Sequence, residues 1–357
     1  MSPIAFAIPV FLVLIAIEWW ASRRMGRQVY RFNDSLSSLN IGILSESSKA
    51  LGAGLSVAVY ALVQERYGAF EWDTRNPLTW ITALLIYDFC YYWLHRANHE
   101  VHFLWASHIV HHSSEDFNLA TALRQSSTGF LVRWVFYIPM AMLGIPVQVF
   151  VVVGLIDLLY QYWVHTELIG RLGWLEYVLV TPSNHRVHHG QNDYCLDRNH
   201  GGILCIWDRL FGTYADERED EKPVYGVRKP LENWNPVWAN LHQYGHLLQQ
   251  LAQPGSLIRR VRVLMDKPAF TSPEGRDFSP ASHQRYDTPL TPASRRMQLA
   301  GTVLALLALM VYYAWSPQAT PVARMGYALA MVVGLGVLGH LMNRQGQQGL
   351  RALPVGV

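Results

Sequence analysis

The chemistry of this chain is carried by histidines at two spacings. Between Asp88 and Asn118 it reads D-F-C-Y-Y-W-L-H-R-A-N-H-E-V-H-F-L-W-A-S-H-I-V-H-H-S-S-E-D-F-N. An apolar, aromatic run ends in His95, His99 follows four residues later, and then come His108, His111 and His112. Residues three and four apart share a helix face. His95 and His99 can therefore aim at one point, and so can His108 with His111 and His112. The H-x-x-H-H spacing returns as His185, His188 and His189. Neutral imidazole suits iron, copper, nickel and zinc. Eight histidines at these spacings exceed what one metal needs, so the expectation is two adjacent metals. His165, closing the run Y-W-V-H, is expected at the same depth as a ninth ligand.

The elements that must position these residues are largely apolar. Of 357 residues, 51% are hydrophobic, gathered in long runs at both ends and in the middle, while Thr166 to Met297 reads as soluble protein. Thirteen Trp and eighteen Tyr, many near the ends of apolar runs, fit interfacial belts. Net charge is only +3 and no basic stripe is interleaved with aromatics, which argues against nucleic acid. Cys90, Cys195 and Cys205 make neither a C-x-x-C pair nor a disulfide framework.

Ile4 to Trp20 is apolar and is followed by Arg23, Arg24, Arg27 and Arg31. A signal peptide carries its charges before the apolar core, so a spanning helix with its C-terminal end in the cytosol is expected. Leu39 to Val63 is a second candidate span, interrupted by Glu46 and Lys49, and Leu78 to Leu94 a third that runs straight into His95. Phe130 to Trp163 breaks at Leu143-Gly144-Ile145-Pro146 and predicts a hairpin that returns the chain to its starting side. Leu299 to Trp315 and Val322 to Leu341 predict a final hairpin. Asp216 to Lys222 reads as a solvated charge run, and Lys267 to Pro292 as a linker. The expected organisation is N-terminal transmembrane helices over 1–94, a histidine-rich region over 95–298 with its hairpin at 130–163, and a C-terminal hairpin and tail over 299–357. The fold class is all-α, multi-pass, with a helical catalytic cap facing the cytosol of a bacterium or the cytosolic side of the endoplasmic reticulum.

Asp88 stands two turns inside the apolar helix before His95, and Asp157 eight residues before His165. Acidic groups within spans are functional candidates, and accepting the outer N–H of a ligating histidine is a sensible role for both. Glu100, next to His99, is a candidate metal ligand, proton carrier or partner of Arg96. His102, His200, His242, His246, His283 and His340 are not expected as ligands. Zinc sites close at four ligands, and nine candidates over-supply one. The physical reading is a non-haem di-iron oxygenase acting on a lipid.

Three segments, H-R-A-N-H, H-I-V-H-H and H-R-V-H-H, resemble the histidine boxes of the fatty acid hydroxylase and sterol desaturase superfamily of membrane di-iron enzymes. The flanking runs W-A-S-H-I-V-H-H-S-S-E-D-F-N-L-A-T-A-L-R-Q-S and T-P-S-N-H-R-V-H-H-G-Q-N-D-Y-C-L-D-R-N-H-G-G-I-L-C-I-W-D-R-L-F-G-T-Y are similar to one branch, whose members cleave the ether bond of alkylglycerols. The resemblance implies hydroxylation of the carbon beside the ether oxygen, giving a hemiacetal that breaks down to aldehyde and glycerol. It implies two Fe ions, dioxygen and, in animal members, tetrahydrobiopterin as reductant. It assigns ligand roles to His95, His99, His108, His111, His112, His165, His185, His188 and His189, and matches Glu100 to an acidic residue of the first box. Two departures stand out: His200 where N-Y-G-G is usual, and His102 where Asn is typical; either could be an extra donor outside the ligand set or have no role. No flavin, nicotinamide or pterin fingerprint is present, so an external electron donor is expected. Alternatives are a fatty acid or sterol hydroxylase or desaturase, a non-catalytic membrane metal-binding scaffold, and a zinc hydrolase.

Overall fold

The structure, a computed structural model, describes residues 3–268 and 278–351. Part of the expected linker, residues 269–277, lies outside them. Three helices are long and apolar enough to cross a membrane: Ile4–Arg24, Pro292–Gln318 and Pro321–Gln348. They belong to helices α1 (Pro3–Arg24), α12 (Pro292–Trp315) and α13 (Pro321–Arg351), counted in chain order. Phe6, Val10, Val13, Leu304, Val311 and Val333 point outward from them, as lipid-facing side chains do. The chain is an integral membrane protein, and among the described residues it is helical without a strand; the pairs Leu179–Leu204 and Gly190–Tyr225 form isolated bridges.

The second candidate span proves to be the middle of α2 (Phe32–Tyr67), a helix of 36 residues. At 1.5 Å per residue it is about 54 Å long, well beyond a bilayer core. Its serines at 37, 38, 45, 47 and 48 are buried against protein rather than lipid. Ser45 donates to the Ser126 carbonyl at 2.8 Å. Glu46, paired with Lys49, accepts from Tyr313 of α12. The third candidate span is likewise part of a longer helix, α3 (Pro77–Glu100), which carries both His95 and His99. Asn76 caps it by accepting from the Leu78 N–H at 3.0 Å, with Pro77 in the first turn where no N–H is missed. One extended residue, Val101, separates it from α4 (His102–His112), which packs back on α3.

The central hairpin is half regular. Its second limb is α7 (Val147–Trp163), 17 residues long. The first limb consists of 3₁₀ turns at Gly129–Leu131 and Arg133–Tyr137 and the short α6 (Ile138–Met142), after α5 (Leu119–Ala122). Pro139 cannot donate the bond a continuous helix needs, so the helix restarts there. Gly144 at the turn has φ +82°, and a Cβ there would sit 2.1 Å from the Phe70 carbonyl oxygen. Tyr60, Ala83, Tyr87, Met140, Val149 and Val153 form the core between α2, α3 and this hairpin. A second core joins α2 to α12 and α13 through Leu36, Leu44, Leu309, Leu335 and Met342.

The extramembrane part carries α8 (Pro182–His188), α9 (Ile206–Phe211), α10 (Pro236–Ala252) and α11 (Leu257–Met265). The charge run Asp216 to Lys222 is not simply solvated. Glu217 is buried and takes a two-pronged bond from Arg186 of α8, at 2.7 and 3.0 Å. A fork that matches a carboxylate in this way fixes geometry as well as charge, so the run folds back onto the second H-x-x-H-H segment.

Candidate metal centre

All nine expected histidines converge, in two groups. His95, His99, His108, His112 and His188 form one, and His111, His165, His185 and His189 the other; within each, one ring nitrogen per residue lies within 4.8 Å of all the rest. The helix period explains the split. Each i, i+4 pair stays together: 95 with 99 on α3, 108 with 112 on α4, and 185 with 189 on α8 and its C-cap. The odd member of each H-x-x-H-H segment crosses over, His111 to the second group and His188 to the first. The expectation that His108 and His111 share one target is thereby corrected, because positions three apart diverge enough at this range to serve neighbouring centres. The groups touch, with the His112 and His189 rings stacked at 4.3 Å.

The hydrogen bonds of the outer nitrogens test whether a cation fits. Nδ1 of His95, His111, His165 and His188 faces the backbone carbonyls of His200, Arg124, Gln161 and Arg198 at 2.9, 2.9, 2.7 and 2.9 Å. A carbonyl can only accept, so these Nδ1 atoms carry the proton and the Nε2 atoms are bare. His111 and His165 then set two lone pairs face to face, 3.4 Å apart. In the first group, the Nε2 atom of His108 meets Nε2 of both His95 and His112, at 3.1 and 3.2 Å, and one proton can satisfy only one of those contacts. Nε2 of His99, His188 and His189 is buried without a partner. Metal–imidazole bonds of about 2.1 Å at right angles place donor nitrogens about 3 Å apart. The residues fit a metal pair.

Burial and neighbouring imidazoles hold these rings neutral. His111 is lowered to about 4 and His188 to about 3, both chiefly by burial, and His108, His112, His185 and His189 also fall well below the ordinary value. An unfolded histidine titrates near 6.5, so below that pH the unfolded chain binds protons that the folded site refuses. This contribution to stability is full above 6.5 and is lost as pH falls toward about 4 and about 3. Metal-free protein is expected to melt at a lower temperature at pH 5.5 than at 7.5, and thermal scans in detergent check this. A midpoint independent of pH over that range would mean that the folded rings take up protons as the unfolded chain does.

The carboxylates stand elsewhere than expected. Neither Asp88 nor Asp157 is hydrogen-bonded to a histidine; in His95, nearest in sequence to Asp88, and in His165, nearest to Asp157, a backbone carbonyl already occupies the outer nitrogen. Asp88 instead accepts from the Ile203 and Leu204 N–H groups and from Trp207 Nε1, at 2.7, 3.2 and 2.8 Å. Asp157 accepts from Gln161 Nε2. Both press on Gly202, where a Cβ would lie 2.6 Å from Asp157 Oδ1 and 2.9 Å from Asp88 Oδ1. Glu100 lies outside both groups, between Arg96 and Lys267 at 3.2 Å each. The ring of His102 also turns away, to the Val263 carbonyl and Gln243 at 3.1 and 2.9 Å.

Several contributors carry no sequence signal of their own. Arg124, buried, donates Nε to the Val110 carbonyl at 2.7 Å and offers its own carbonyl to His111. Phe117, fully buried, stacks between His165 and Tyr225 as a wall of the second group. Asn118 caps α5 in a reciprocal box with Thr121 and ties the wall to the Val29 carbonyl.

Fold and site together define an all-helical membrane protein built around two adjacent histidine groups fit for metal. The model of the fatty acid hydroxylase family matches residues 80–213, which hold every histidine of both groups. The human alkylglycerol monooxygenase is 45% identical over 66% of this chain and 53% of its own length. The Xenopus tropicalis alkylglycerol monooxygenase is 38% identical over 92% of this chain and 75% of its own. An ornithine lipid hydroxylase of Rhizobium tropici is 27% identical over 66% of this chain and 70% of its own. No solved structure matches significantly. The chain belongs to the fatty acid hydroxylase family, in the branch of the alkylglycerol monooxygenases. It spans about half the length of the human relative.

Proposed function

We propose that the protein is a di-iron monooxygenase that hydroxylates the carbon beside the ether oxygen of an alkylglycerol. The observation that carries this is the pair of bare Nε2 atoms of His111 and His165, within the two touching histidine groups of an integral membrane protein. Bound iron would supply activation of dioxygen; neutral imidazole is a ligand that suits it. The balance requires one alkylglycerol, one dioxygen, two electrons and two protons, and gives a hemiacetal and one water. The hemiacetal then releases an aldehyde and glycerol. The electrons come from an external donor, for which tetrahydrobiopterin is the first to test.

The chain's own residues set the conditions. His95, His99, His108, His112 and His188 would hold one iron, and His111, His165, His185 and His189 the other. The carbonyls of His200, Arg124, Gln161 and Arg198 fix four of these rings in the tautomer that presents Nε2 inward. Phe117 and Tyr225 keep water from the second group. Asp88 and Asp157 act as positioning residues through the loop at Gly202. Glu100, on the rim between two cations, is assigned the carriage of protons. The aromatic residues of the 130–163 hairpin are proposed to line the lipid path. The cleft among Tyr60, Tyr87, Trp134, Tyr137 and Phe150 is about 40 Å³, room for a water and not for an alkyl chain, so the hairpin must open to admit one.

The site is assigned to the cytosolic face. Arg27, just past the basic end of α1, donates to the Glu167 carbonyl at 2.9 Å, two residues from His165. That end of α1 carries Arg23 and Arg24, and basic flanks stay in the cytosol. The test is to load purified protein anaerobically with iron, then add dioxygen, reductant and ether, acyl or sterol lipids in turn. About two irons per chain and aldehyde from the ether lipid alone are expected. Zinc that iron cannot displace, or product from the acyl or sterol lipid only, would reject the assignment.

A further inference from the structure

His200 belongs to neither histidine group, yet it stands against the first. Its ring centroid is 5.1 Å from that of His99, 5.7 Å from His188 and 5.8 Å from His95. The residue is fully buried, at 0% exposure, and neither ring nitrogen completes a hydrogen bond. The Asp197 carbonyl is near enough to attract a ring proton but does not complete a bond. Buried imidazoles are normally bonded, since an unpaired N–H inside a protein loses its water without replacement.

The backbone around His200 is held too firmly for this to be accidental. Its N–H donates to Asp208 Oδ1 at 2.7 Å and the next N–H, of Gly201, to Asp208 Oδ2 at 2.8 Å. Its carbonyl accepts from His95 Nδ1. Asp197 and Asn199 both adopt left-handed φ, +54° and +56°, which few side chains tolerate. Asn199 is tied down by the Asn184 and Ala215 carbonyls at 3.0 and 2.8 Å. The loop is bonded on both sides of this position and delivers one unsatisfied imidazole to the edge of a five-imidazole group. A metal held by these five imidazoles could also take a small exogenous ligand, which would supply the polar partner missing at His200.

Resting on the two-metal reading above, we propose that His200 is a tenth histidine of the centre. Its ring donates a hydrogen bond to a water or small anion on the metal held by His95, His99, His108, His112 and His188. It is a positioning residue for that exogenous ligand and not a ligand itself, and it makes the two metals unequal, since the second group has no such neighbour among the described residues.

The test is an azide titration of the iron-loaded, oxidised full-length protein, followed by charge-transfer absorbance, with iron counted by elemental analysis. Wild type, His200→Phe and His200→Gln are each expected to hold about two irons. His200→Phe is expected to bind azide at least about tenfold more weakly, the usual scale for loss of an outer partner. His200→Gln, which keeps a donor, is expected to recover most of the affinity. Equal azide affinity in His200→Phe overturns the proposal. Loss of an iron from a folded His200→Phe also overturns it, by making His200 a direct ligand. Should the Phe variant not fold, His200→Leu reads the same quantity. Wild type that takes up no iron rejects the two-metal reading itself, and the iron count separates that result from the others.

Discussion

Replacing His111 with alanine is expected to lower bound iron from about two per chain to about one and to cut ether-lipid turnover by more than about 100-fold. His111 is one of four imidazoles in the second group and none of the five in the first. Its removal leaves His165, His185 and His189, and it also strips the Arg124 carbonyl of its donor. The first group keeps all its members, so one iron should remain. A reaction that needs both metals then fails although half the metal is present. His102→Ala is the control, since that histidine is the first residue of the same helix but bonds Val263 and Gln243. It should keep two irons and most of its activity, with a loss confined to stability of about 1 kcal/mol for each bond broken. Elemental analysis and aldehyde release on the two variants check the pair of outcomes. Full iron and more than a tenth of the activity in His111→Ala would remove His111 from the centre.

Spacing made eight of the nine histidines legible, because residues three and four apart on a helix share a face, and His165 was legible from its place at the end of an apolar run. The allocation between groups was not legible. Whether His111 turns toward His108 or toward His165 depends on how α4, α7 and α8 meet, which a local period does not encode. The acceptors of the outer ring protons were equally hidden. Asp88 and Asp157 look suitable for that role by charge and depth, but the acceptors are main-chain carbonyls that every residue possesses. His200 reads in the sequence as a departure that could be an extra donor or nothing, and only the fold shows its ring unpaired against His99. The apolar runs revealed α1, α12 and α13 directly. They gave less at α2, where apolar and small polar residues mix and the serines at 37, 38, 45, 47 and 48 are buried by protein.

Asp88→Ala is expected to loosen the first metal site selectively, through the loop whose His200 carbonyl takes the Nδ1 proton of His95. Three donors converge on this carboxylate: Ile203 N, Leu204 N and Trp207 Nε1. Its truncation leaves them buried without an acceptor, at roughly 1–3 kcal/mol each if none finds water. The loop relaxes, and with it the His200 carbonyl that fixes the tautomer of His95. Loss of such an outer acceptor weakens metal affinity by about 10–100-fold. Gly202→Ala should reach the same end from the other side, because its Cβ would meet the Asp157, Tyr91 and Asp88 side chains at 2.6, 2.8 and 2.9 Å, and relieving that crowding displaces the Asp88 carboxylate or the loop it holds. The second group takes its outer bonds from Arg124 and Gln161, on other segments. Chelator-driven iron release should therefore show two phases in wild type, with one of them at least about tenfold faster in either variant and the other unchanged. Equal acceleration of both phases would mean that the substitutions simply unfold the cap, whereas two unchanged phases would mean that His95 does not depend on the loop at all.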